Sequence, residues 1–191
     1  MNKETKNIFA QVWLADAAYA NFVGIDITDV TAVRRRLIET RSFGPTEADL
    51  FVAAWTVRDF LPDTTSGFSA TVFESKTNPG QFTFAIRGTQ GLLGGTDLFV
   101  ADLSDIFLDG LALDQIVDMY NYWQRLTAPK GSSNYNVATL DSVLLPVGTV
   151  LDLPTGVHRV LSIKTSTTNG GLGIIPPNTT GIDTTKGHPS D

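Results

Sequence analysis

The chain has 191 residues, 42% of them hydrophobic, enough for one domain with a real core. Its formal net charge is −6 and Arg34-Arg35-Arg36 is its one basic cluster, which argues against a nucleic-acid partner, because phosphate contacts need a basic face. There is no cysteine, so disulfides, thiolate metal sites and a thiol nucleophile are excluded.

Ile8, Val12, Ala15, Tyr19 and Phe22 recur at spacings of three and four, which predicts a helix over residues 7–22 with these side chains as its buried stripe. Gln11, Asp16 and Asn21 interrupt that stretch, and no apolar run approaches the ~20 residues of a membrane span. The charged start, residues 1–6, has no apolar stretch of the signal-peptide kind behind it, so no N-terminal signal peptide is expected. Thr28 or Asp29 is suited to cap a second helix ending near Glu39, with the three arginines on a solvated face. Thr46-Glu47-Ala48-Asp49 resembles a capping box and predicts a helix through about Phe60, burying Leu50, Phe51, Ala54, Trp55 and Val57. Pro62 ends it.

Gly67 to Ser75 and Gln81 to Arg87 alternate apolar and polar residues around Asn78-Pro79-Gly80, a turn sequence, and so read as a hairpin. A loose Gly91, Gly94, Gly95 loop follows; it lacks the Lys-Ser/Thr of a phosphate-binding loop. Residues 97–106 are amphipathic. Leu113 to Leu126 reads as a helix with Ile116, Val117, Tyr120, Trp123 and Leu126 on its apolar stripe. From Lys130 to Asn136 the residues are small and polar, His158 to Lys164 is a short strand candidate, and Thr165 to Asp191 is rich in Thr, Gly, Asn and Pro, the composition of a loop.

The stretch with most chemical content is Phe82-Thr83-Phe84-Ala85-Ile86-Arg87-Gly88-Thr89. An alternating strand runs into a glycine and then a hydroxyl residue. Two readings are open: a strand ending in a tight turn, or a loop whose backbone N–H and Thr hydroxyl face a developing oxyanion. His158 and His188 are the only histidines and form no metal-ligand spacing. Asp102, Asp105, Asp109 and Asp114 are ligands of the kind calcium takes, without the Gly and Glu of an EF-hand loop. No Gly-x-Ser-x-Gly occurs, so a nucleophile elbow is not legible.

Taken together, residues 68–73, 82–89, Asp97-Leu98, 101–106 and 113–126, with Ala15-Asp16-Ala17-Ala18-Tyr19-Ala20-Asn21-Phe22, resemble the bacterial class 3 lipases, serine hydrolases of the α/β-hydrolase fold. The opening stretch also resembles lipase-like domains of large secreted, calcium-binding bacterial proteins. The resemblance covers roughly residues 10–128. It implies an α/β fold, the N-terminal portion of an α/β-hydrolase sheet with flanking helices, cut before the nucleophile elbow. Residues 1–165 would form the partial hydrolase domain and 166–191 a flexible tail. Thr89 falls on the oxyanion position and Gln90 in the same loop, with Arg87, Gly88, Asp102 and Asp105 in support. Where the family carries Gly-His-Ser-x-Gly, this chain has Gly187-His188-Pro189-Ser190-Asp191, so Ser190 is not assigned as nucleophile and none is expected in this chain. The implied substrate of the complete protein is a lipid or small ester. The resemblance also implies secretion and no organic cofactor, with calcium an option in the complete protein. A cut sheet would leave an exposed edge and favour self-association. The alternative is a non-catalytic lipase-like surface or calcium-associated module.

Overall fold

The computed structural model describes residues 3–41, 43–87, 113–145 and 156–176, and of residues 3–9, 143–145 and 156–158 only the backbone. The order is α1 (Lys3–Ala17), α2 (Val30–Thr40), α3 (Pro45–Ala54), β1 (Trp55–Leu61), β2 (Ser69–Ser75), β3 (Phe82–Arg87), α4 (Leu113–Thr127), β4 (Asn136–Leu145) and β5 (Gly156–Thr165). Every strand pairing among the described residues is antiparallel: one sheet ordered β1-β2-β3 and one two-stranded sheet, β4-β5. The class is therefore mixed helix and small antiparallel sheets, an α+β arrangement. The chain divides into two compact units, residues 1–89 with 174–191, and residues 90–173. That division falls inside the span 1–165 that the resemblance assigned to one domain.

In the first unit, Asp29 caps α2 as its composition predicts; its Oδ1 accepts the Thr31 N–H at 2.8 Å. The cap of α3 differs from expectation. Gly44 is the N-cap and Pro45 opens the helix. Glu47 Oε2 accepts the Gly44 N–H at 2.9 Å. Thr46 lies inside the first turn. Asp49, expected at the box position, instead pairs with Arg34 of α2 at 2.5 Å, and that hydrogen bond holds the Asp49 carboxyl below the usual carboxylate range.

The helix expected to reach Phe60 stops at Ala54, and Trp55–Leu61 is β1. Helical spacing and a strand entry are hard to tell apart over Trp55-Thr56-Val57. The long-range partner decides. β1 pairs with β2 from Trp55↔Ser75 to Leu61↔Ala70, with a bulge between Val57 and Asp59. Lys76 fastens the junction, its N–H on the Ala54 carbonyl at 2.8 Å and its Nζ on the Val52 carbonyl at 2.6 Å. Leu50, expected inside, is 53% exposed, whereas Phe51 is fully buried. Phe51 meets Phe43 and Phe73 edge to face, each at 5.6 Å between ring centroids.

The stripe on α1 is also corrected. Val12 is 57% exposed and Ala15 is exposed, while Leu14 and Ala17 are buried, with Ala18 and Ala20 just beyond the helix. Leu14, Ala17 and Ala20 belong to the core of this unit, and Trp13 packs against it. Phe22, outside the helix, is buried and sits edge to face on Phe60 at 5.6 Å. Arg41 ties the end of α2 to α1, its guanidinium bonding Asp16 and lying 5.1 Å over the Tyr19 ring.

In the second unit, α4 follows its predicted bounds, but its buried residues are Tyr122 and Leu126, while Ile116 is 42% exposed. β4 was not expected as a strand. It pairs with β5 without a slip from Asn136↔Thr165 to Leu145↔Gly156. Asn121 of α4 bonds the backbone of buried Ala138 twice, accepting its N–H at 2.7 Å and donating to its carbonyl at 2.9 Å. One side-chain amide thus acts as a neighbouring strand would. Asn121→Ala should orphan both groups at about 1–3 kcal/mol each. Asn121→Asp, able to accept but not donate, should lose less; denaturant titration of the two variants checks the order.

Residues 166–173, the start of the segment read as a tail, are hydrogen-bonded into this unit. Leu172 and Gly173 donate to the Arg125 and Ala128 carbonyls at 2.7 and 2.8 Å, so they satisfy the end of α4. Ser166 N–H meets the Tyr135 carbonyl at 2.8 Å. The hydroxyls of Ser166 and then Thr168, with the charge of Arg125, hold the buried Tyr135 phenol below its ordinary pKa.

Candidate functional site

The hairpin expected over 68–75 and 81–87 is β2–β3, in register from Ser69↔Arg87 to Glu74↔Phe82. Its turn uses Gly80 at φ +88°, where only glycine is free of strain. The Gly80 N–H reaches Glu74 Oε1 at 2.9 Å. The strand carrying the candidate chemistry is thereby held at a fixed register, with Arg87 as its last residue.

β2 is unusual for a strand in a small antiparallel sheet. Ser69, Ala70, Thr71, Val72 and Phe73 are all fully buried. Successive side chains point to opposite faces, so both faces of β2 are covered. Two of these residues are polar. Ser69 Oγ donates to the Leu61 carbonyl at 2.8 Å. Thr71 Oγ1 is the buried side-chain polar atom with no hydrogen-bond partner among the described residues; its residue stands between Phe60 of β1 and Ala85 of β3. A buried hydroxyl without a partner costs about 1–3 kcal/mol. Thr71→Val should therefore raise stability by about 1 kcal/mol, read from the denaturation midpoint at unchanged slope.

The Arg87 guanidinium bonds Asp63 in the β1–β2 connection, while Asp102 and Asp105 lie outside the described residues. The Arg87 side chain is only 11% exposed and Asp63 is 56% exposed, so the pair is half screened by water and is worth little in stability. Its effect is geometric. It anchors the strand end to a connection that is itself shaped by Thr64 N–H on the Phe68 carbonyl at 2.9 Å and Gly67 N–H on the Thr64 carbonyl at 3.0 Å. Sequence reasoning missed Asp63. The signal available was a carboxylate in the connection that the hairpin brings beside residue 87.

Gly88, Thr89, Gln90, Asp97, Asp102, Asp105 and Asp109 lie outside the described residues, as do His188 and Ser190. Of the residues assigned to the oxyanion loop and its support, Arg87 is the one among the described residues. Asp114 is in α4 and bonds Arg159 of β5. His158 is a ladder position of β5, opposite Val143. No group of acidic, His or Cys side chains able to hold a metal ion occurs among the described residues, and no helix among them is long and apolar enough to cross a membrane.

Beside this strand an open groove of about 340 Å³ runs between α1 and the sheet, lined in part by Ala10, Gln11 and Leu14 and by Thr83, Ala85 and Ile86. It is mostly apolar, with amide and hydroxyl groups at a few points. Ile86 is 47% exposed.

The fold and this strand end define a mixed α and β protein with an antiparallel sheet whose middle strand is covered on both faces. No family model matches the chain, and no curated protein or solved structure matches it.

Proposed function

We propose that the chain is the oxyanion-loop part of a secreted serine lipase or esterase of the class 3 kind, built on an α/β-hydrolase sheet. The observation that carries the reading is β2–β3: a strand buried on both faces, as in sheets covered by layers on each side, beside a strand that ends at an anchored Arg87 just before Gly88 and Thr89. In this reading the Thr89 N–H and hydroxyl, with Gln90 in the same loop, stabilise the negative charge that forms on an ester carbonyl oxygen. One such donor is typically worth about 2.7–4 kcal/mol in the transition state. Asp102 and Asp105 support the loop. The substrate is a lipid or small ester, and calcium is an option in the complete protein. The nucleophile is not among these residues, none of which reads Gly-x-Ser-x-Gly.

The deciding experiment is to read the genomic sequence after the codon for Asp191 in three frames. Gly-His-Ser-x-Gly followed by an Asp and a His supports the lipase reading. Unrelated sequence favours the second reading, a non-catalytic lipase-like surface or calcium-associated module. Purified 1–191 is expected to leave p-nitrophenyl butyrate unhydrolysed. Turnover that disappears in Ser190→Ala would overturn the statement that the nucleophile lies elsewhere.

A further inference from the structure

We draw no further inference here: the strongest candidate, the open groove between α1 and β3 bordered by Leu14, Ala85 and Ile86, is an unpartnered apolar face, and nothing in the structure shows what covers it.

Discussion

Phe51→Ala is expected to lower the stability of the first unit by about 3–5 kcal/mol, the range for emptying a fully buried aromatic site. Phe51 has no exposed surface and is the middle ring of three, edge to face with Phe43 on one side and Phe73 on the other. Its removal opens a cavity where α3 meets β2, and it takes away two ring contacts that add to simple area burial. Leu50→Ala is the internal comparison. Leu50 is the neighbouring residue on the same helix, but it is 53% exposed, so its loss should stay within about 0.5 kcal/mol. Denaturant titration followed by tryptophan fluorescence measures both. Equal effects at the two positions would mean that the packing face of α3 is wrongly placed.

Gly171→Ala should lower the stability of the second unit by about 1–3 kcal/mol, the usual cost of forcing extra volume into a packed site. Gly171 is buried, and a Cβ there would stand 2.2 Å from the Pro129 carbonyl oxygen and 3.1 Å from that of Ser132. Both obstacles are backbone, so no side-chain rotation relieves them. The same two strands of chain are joined by Gly171 N–H on the Ser132 carbonyl at 3.0 Å and Gly131 N–H on the Gly171 carbonyl at 2.8 Å. Pushing them apart should release Leu172 and Gly173 from the end of α4. Amide hydrogen exchange at those two residues reports it directly. Protection as strong as in the parent chain would sink the idea that residues 166–173 are a cap on α4.

Much of the local structure was legible. The cap at Asp29, the hairpin around Asn78-Pro79-Gly80 and the bounds of α4 follow from side chains acting on the backbone within a few residues. These are short-range effects, and a linear reading contains both partners. The packing faces were less legible. Periodicity marked Val12 and Ile116 as inside, yet both are exposed, because two apolar stripes satisfy the same spacing and the surrounding elements choose between them. At the candidate site the strand and its last residue, Arg87, were readable, while its partner Asp63 was not. The two lie 24 positions apart and meet only because β1, β2 and β3 stack in register.

Composition, capping chemistry and alternation already specify where helices and strands begin in much of this chain, and that no thiol chemistry is open to it. Tertiary structure alone decides that Trp55–Leu61 is strand rather than helix, that β2 is covered on both faces, and that the Gly-rich stretch 166–173 closes a helix end. The physical reason is common to all three. Each state gains its free energy from groups distant in sequence: ladder hydrogen bonds with β2, apolar burial on both sides of a strand, and carbonyls left open at the end of α4.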